Sequence, residues 1–167
     1  MPLILSANST NIVKWWVDGS YGIHPDARIQ TGETAFLGNG SFISTSIKQK
    51  LNTRISTETE LVAADDMMPH LCWSNYFLEC QEYNINSTIL YQDNQSAILL
   101  ENNGIDFSSN RTKHLNIRYF FITDRIKKGD LHIEYCPTDS MVAIFFTKPL
   151  QGKKFLQFRK VIMNLQD

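Results

Sequence analysis

The spacing of apolar and polar positions changes character along the chain. Residues 12–18 (IVKWWVD) are mostly apolar and rich in strand formers, which predicts a buried strand. Residues 34–37 and 41–47 predict two more, and Gly38-Asn39-Gly40 between them carries the Asn-Gly hairpin signal. From Ser56 the period lengthens. Leu61, Ala64, Met68, Leu71, Cys72 and Tyr76 recur at helical spacing and predict a core-facing stripe. Thr57 and Glu60 have capping-box spacing at the start of that helix, and Pro69 predicts a kink or a split within it. Residues 88–92 read as a strand, and a helix around 95–101 stops at Gly104. A further helical pattern spans 113–127 before Gly129. Residues 131–135 alternate as a strand, and residues 141–146 begin a last helix. Phe155, Phe158, Val161 and Ile162 continue a helical stripe after Pro149 and Gly152. The order βββ, α, β, α, α, β, α predicts an α/β protein, a mixed sheet with helices packed on its faces. One domain over 1–167 is expected, with 1–10 as an upstream connector and 150–167 as a helical tail.

Composition narrows the class. A chain of 167 residues, 43% hydrophobic and 20% charged, can bury a core without disulfides or a structural metal. No apolar run approaches the ~20 residues of a membrane span. The start, MPLILS, lacks the basic region and the apolar length of a signal peptide. Cys72, Cys80 and Cys136 are an odd count without CxxC spacing; they read as reduced, buried thiols of an intracellular protein rather than a zinc site. Trp15, Trp16 and Trp73 read as core residues.

A net charge of -1 does not mark a nucleic-acid binder, but the charge is uneven. Lys48, Lys50 and Arg54 form one basic group, Arg111, Lys113 and Arg118 another, and Arg125, Lys127 and Lys128 a third. Lys148, Lys153, Lys154, Arg159 and Lys160 add a basic tail. Such groups are either solvated surface or a phosphate-binding face.

The carboxylates carry the candidate chemistry. Asp18 is expected to end the first strand and Asp93 the fourth, and Glu60 lies in the first turn of the long helix. If the two strands are neighbours, three carboxylates meet at one end of the sheet. They would repel one another unless a divalent cation compensated them, and a few hard oxygen ligands suit Mg²⁺ or Mn²⁺. Each residue also has an ordinary reading: Asp18 as a turn residue, Glu60 as a capping partner, Asp93 as a helix start.

The segments KWWVDGSYGIHPD, KQKLNTRISTETELVA, YQDNQSAILLENNG, RTKHLNIRYFFITDRIKKG and IEYCPTDSMVAIFFTKPLQG occur in this order. Together they resemble the ribonuclease H domain of copia-type retrotransposon polyproteins, over nearly the whole chain. The resemblance implies a ribonuclease H-like fold, a five-stranded mixed sheet whose first three strands are antiparallel. It implies Asp18, Glu60 and Asp93 as catalytic carboxylates holding two Mg²⁺ (or Mn²⁺). The implied substrate is the RNA strand of an RNA–DNA hybrid. The implied partner is the reverse transcriptase domain of the same polyprotein, in a cytoplasmic virus-like particle. The domain itself is expected to be a monomer without membrane contact.

By the same resemblance Arg54, Ser56, Thr57, Asn94 and Gln95 line the hybrid's minor groove, where contacts to 2′-hydroxyls distinguish RNA. Lys48 and Lys50 approach phosphates. Arg111, Lys113 and His114 lie near the substrate or the active site, with a helix-start role as the alternative for His114. The chain departs from the family where Ala143 is followed by Ile144 instead of a fourth aspartate, which sets a branched apolar side chain beside the charge cluster. Asp139, the nearest carboxylate, is expected to cap the last helix. Glu33 stands where the family has glycine, and Ile55 where it has a small polar residue. Two expectations follow: a metal-dependent endoribonuclease weakened by Ile144, or an inactive module that binds hybrid or supports a neighbouring polymerase domain.

Overall fold

Nine residues of strand-forming, mostly apolar sequence build β2 (Ile12–Ser20), the central strand of a five-stranded sheet. In this computed structural model residues 3–20, 29–49, 55–103 and 116–165 are described, without the side chains of 116–120. Gly104, the start of the 113–127 pattern, and Lys50, Arg54, Arg111, Lys113 and His114 lie outside the described residues.

The sheet order is β5 (Ser41–Lys48), β3 (Gln30–Phe36), β2, β6 (Ser87–Gln92), β7 (His132–Tyr135). The first three strands are antiparallel neighbours, and β6 and β7 add in parallel. This is the expected mixed sheet. β2 runs through Asp18 to Ser20 instead of ending at Asp18, because Asp18, Gly19 and Ser20 pair with Gly32, Thr31 and Gln30. The hairpin at Gly38–Gly40 forms, with a register shift at Ala35/Phe36. Its Gly38–Asn39 segment (β4) pairs with β1 (Ser6–Ala7) as a second small sheet. Gly40 has φ +76°, and a Cβ there would lie 2.4 Å from the Ile4 carbonyl oxygen, so a side chain is excluded.

The two faces of the sheet are covered differently. On one, Val13, Trp15 and Val17 alternate into a core with Ala63, Ala64, Met67, Met68 and Leu71 of α1 (Ser56–Cys80) and Ile122 of α3 (Asn116–Lys127). On the other, Phe36 and Trp16 pack against Met141, Val142, Ala143 and Ile144, and against Phe158 and Ile162 of α4 (Gly152–Met163). α2 (Gln95–Asn103) sits beside α1 through Ala97, which packs with Leu61 and Val62.

Several local expectations are corrected. Of the two readings for Pro69 the split is ruled out: α1 is one helix through it, and its buried row offsets the roughly 3 kcal/mol that an interior proline costs. Its N-cap is Ile55, in extended conformation and without a side-chain capping bond, so Thr57 and Glu60 form no capping box. Tyr76 is exposed although it falls on the helical stripe, and Trp73, 62% exposed, stacks on Phe77 instead of entering the core. Cys80 is exposed, Cys72 half-buried and Cys136 buried, all free thiols. Residues 141–146 do not begin the last helix. They form a tight 3-10 turn, Val142–Phe146, and α4 starts separately at Gly152. Of the tail stripe only Phe158 and Ile162 are buried, while Phe155 and Val161 face outward. Asp139 caps nothing; it is exposed and pairs with Lys154 of α4 at 3.0 Å.

Candidate active site

The parallel pairing of β2 with β6 sets the site. Trp16 lies opposite Tyr91, and continuing that register by two places brings Asp18 opposite Asp93. α1 crosses at Gly19, where a Cβ would meet Thr59 Cγ2 at 2.7 Å and its carbonyl oxygen at 2.9 Å. That close approach lets the Gly19 N–H donate to Glu60 Oε2 at 3.1 Å. Asp18, Glu60 and Asp93 each present a carboxylate oxygen within 4.8 Å of the others. They line a cleft of about 440 Å³ with Ser20, Ser56, Asn94, Gln95 and Lys148.

Asp18 and Glu60 are buried and Asp93 is half-buried. Burial pushes the Asp18 carboxyl above its ordinary range, while Lys148 and the Thr147 hydroxyl pull it back. Glu60 is pushed further up, first by burial and then by the charges of Asp18 and Asp93; the Gly19 N–H offsets only part of this. Three converging carboxylates, one of them strongly disfavoured as an anion, suit a divalent cation that would stabilise the charged forms.

Polar neighbours fix each group. Thr147 Oγ1 donates to Asp18 Oδ2, and Lys148 Nζ donates to Asp18 Oδ1 at 3.3 Å. Thr138 Oγ1 donates to Asp93 Oδ2 at 2.9 Å. Thr138 and Thr147 were not singled out from the sequence, and Lys148 was named only within the basic tail. Thr147 and Lys148 stand in the FTKPL segment that carries part of the resemblance, which is the signal that could have found them. The Ile144 side chain is 2% exposed within the apolar cluster around Phe36 and Phe158, its carbonyl oxygen lies against Thr147 Oγ1, and Lys148 lines the cleft.

The other sequence candidates divide. Ser56 and Gln95 line the cleft. Asn94 lines it too, but its Oδ1 is engaged as the cap of α2, accepting from the N–H groups of Ser96 and Ala97 at 3.0 and 3.1 Å. Asp93 is therefore not the helix cap. Thr57 is half-buried on the first turn of α1, and Lys48 is exposed at the end of β5.

No protein-family model matches the chain. By sequence it is 29% identical over 148 residues to the retrovirus-related Pol polyprotein from transposon TNT 1-94 of Nicotiana tabacum, covering 88% of this chain and 11% of that protein. It is 29% identical over 164 residues to the Pol polyprotein from transposon RE1 of Arabidopsis thaliana, covering 96% and 11%. With the transposon Ty1-JR2 Gag-Pol polyprotein of Saccharomyces cerevisiae it shares 29% over 141 residues, covering 83% and 8%. The chain thus spans about a tenth of the length of these relatives. Among solved structures, a ribonuclease H1 isolated from compost by a metagenomic approach superposes with a TM-score of 0.58 at 12% identity, covering 82% of this chain and 93% of that one. Ribonuclease H1 of Halobacterium salinarum gives 0.55 at 13%, covering 79% and 90%. The compost enzyme was also solved in complex with an RNA/DNA hybrid, and that structure superposes at 0.56 with 11% identity, covering 81% and 93%. By sheet order and superposition the chain has a ribonuclease H-like fold, and by sequence it is similar to a segment of the Pol polyproteins of retrotransposons.

Proposed function

We propose that this chain is a copia-type ribonuclease H domain, cutting the RNA strand of an RNA–DNA hybrid beside the reverse transcriptase domain of a longer polyprotein. The observation that carries the reading is the convergence of Asp18, Glu60 and Asp93 from β2, α1 and the end of β6. These residues would hold two Mg²⁺ or Mn²⁺ ions. Such ions supply charge neutralisation at a phosphodiester and lower the pKa of water. The protein's own contribution is orientation. Thr138 holds Asp93, Thr147 holds Asp18, and the Gly19 N–H holds Glu60. Ser56, Thr57, Asn94 and Gln95 stand on two helix starts that flank the carboxylates, where a hybrid's minor groove would be read. The domain is read as a monomer, working in a cytoplasmic particle.

A second reading has its own observation. Ile144 is sealed in the apolar cluster, and Lys148 occupies one side of Asp18. With three carboxylates and an internal cation, the module could bind hybrid without cutting it. The test uses a labelled RNA–DNA hybrid with Mg²⁺ and with Mn²⁺, comparing this chain with Asp93→Asn. Cleavage that falls on the order of 10²-fold or more in the variant supports the nuclease. Binding without cleavage by either chain supports the second reading, and neither binding nor cleavage overturns both.

A further inference from the structure

α2 carries a carboxyl group that the proposed reaction does not use. Glu101 is fully buried, and so is Gln92, the last residue of β6, which directly precedes Asp93. Gln92 Nε2 donates to Glu101 Oε1 at 3.2 Å. The remaining oxygens of the pair, Gln92 Oε1 and Glu101 Oε2, are both buried, and neither has a hydrogen-bond partner among the described residues. An ionised carboxylate has nothing to donate, so both oxygens would carry an uncompensated desolvation cost. A proton on Glu101 would supply a donor that the pair lacks.

The surroundings favour the neutral form. Burial pushes the carboxyl up to about 8, with the Gln92 bond pulling the other way. The elements packed on α2 carry Glu58, Glu60, Asp65, Asp66, His70, Cys72 and Glu79 on α1, Asp124, Arg125 and Lys127 on α3, and His132 and Glu134 on β7. None of these described groups acts on Glu101. Thr123 of α3 donates to the Glu101 main-chain oxygen at 2.8 Å, so the same residue joins α2 to α3.

We propose that Glu101 is a positioning residue for Asp93: as a neutral acid it closes a reciprocal pair with the Gln92 amide and pins the turn from β6 into α2, and its ionisation releases that turn. The part concerning Asp93 rests on the metal-site reading above.

The experiment is urea unfolding of the whole chain and of Glu101→Gln from about pH 5 to pH 9, without divalent ions. Glu101 would ionise near its ordinary 4.5 when unfolded and near 8 when folded. Between these values the unfolded state releases a proton that the folded state keeps, so stability falls as pH rises. From this group the unfolding constant rises about tenfold per pH unit and levels off above 8. Glu101→Gln keeps an amide pair that cannot ionise, so the difference between the two chains isolates Glu101 from other titrating groups. Parallel curves overturn the proposal. If the variant does not fold, ¹³C-NMR of the Glu101 carboxyl in the unaltered chain decides it. A titration midpoint near 8 supports the neutral acid, and one below about 6 overturns it. Mn²⁺ affinity, read by electron paramagnetic resonance, should fall above about pH 8 in the unaltered chain relative to Glu101→Gln, and an equal pH profile overturns the link to Asp93. Absence of Mn²⁺ binding by both chains overturns the metal-site reading, and the unfolding curves then decide Glu101 alone.

Discussion

Lys148 Nζ donates to Asp18 Oδ1 across 3.3 Å, joining the segment before α4 to the central strand. Asp18 is 1% exposed and Lys148 42%, so one partner is desolvated while the other stays hydrated. Lys148→Met leaves Asp18, Glu60 and Asp93 without their internal cation. Discounted for the exposed partner, the loss is about 1 kcal/mol in a chelating buffer, or roughly 2–4 °C in Tm for a chain of this size. Saturating Mg²⁺ should raise the variant's Tm by more than it raises the parent's. Equal melting curves in chelator would show that the pair contributes nothing to stability.

Gly32 places the same segment against the sheet. It lies opposite Asp18, and a Cβ there would meet Thr147 Cγ2 at 2.6 Å, the Ala143 carbonyl oxygen at 2.7 Å and Phe146 Cβ at 2.9 Å. Two of these contacts are with Ala143 main chain and a Cβ, which cannot rotate away. Gly32→Ala therefore pushes the turn that carries Thr147 and Lys148 off Asp18. We expect a loss of about 2 kcal/mol in urea unfolding and weaker Mn²⁺ binding than in the parent. Gly129→Ala, where a Cβ meets nothing within 4 Å, tests glycine removal without overpacking; its φ of +78° alone adds a cost of about 1 kcal/mol.

What could be read in advance follows from how local each feature is. The pairing of Asp18 with Asp93 was legible because each follows a strong strand pattern, and two neighbouring parallel strands carry their ends together. The position of Glu60 near them was legible from the first turn of the long helix, although its spacing from Thr57 also pointed to a capping box that does not form. Thr147 and Lys148 were not legible from pattern. Their place depends on a 3-10 turn folding back over the sheet, held by contacts between Gly32 and residues 143–147 that are distant in sequence. Trp73 and Tyr76 were misplaced because an apolar type at helical spacing permits burial without requiring it.

Ile144 gives a prediction opposite in sign to a simple repair of the site. Its side chain is packed with Phe36, Met141, Val142 and Phe158. Ile144→Asp brings a carboxylate into that cluster, with an expected loss of about 3 kcal/mol from lost packing and desolvation. Chemical denaturation of the folded variant measures it. A variant as stable as the parent would mean that position 144 turns out of the cluster toward Asp18, and hybrid cleavage should then be tried on that variant.

Glu33 and His70 tie β3 to α1 on the far side of the core. Glu33 is 1% exposed; Oε1 accepts from Thr45 Oγ1 at 2.7 Å and pairs with His70 Nδ1 at 2.5 Å, while Oε2 is buried without a partner among the described residues. Burial raises the Glu33 carboxyl above its ordinary 4.5, and Thr45 and His70 pull it down. Between 4.5 and the raised value the folded chain keeps a proton that the unfolded chain releases, so stability falls as pH rises through that window. His70→Ala removes one of the influences that lower Glu33 and widens the window upward. The variant should lose little at about pH 3.5, where the carboxyl is largely protonated in both states, and about 1–2 kcal/mol near pH 7. Glu33→Gln removes the titration and should flatten the same dependence. Urea unfolding of the three chains at the two pH values measures this, and a His70→Ala loss that is the same at both would show that Glu33 is already ionised throughout.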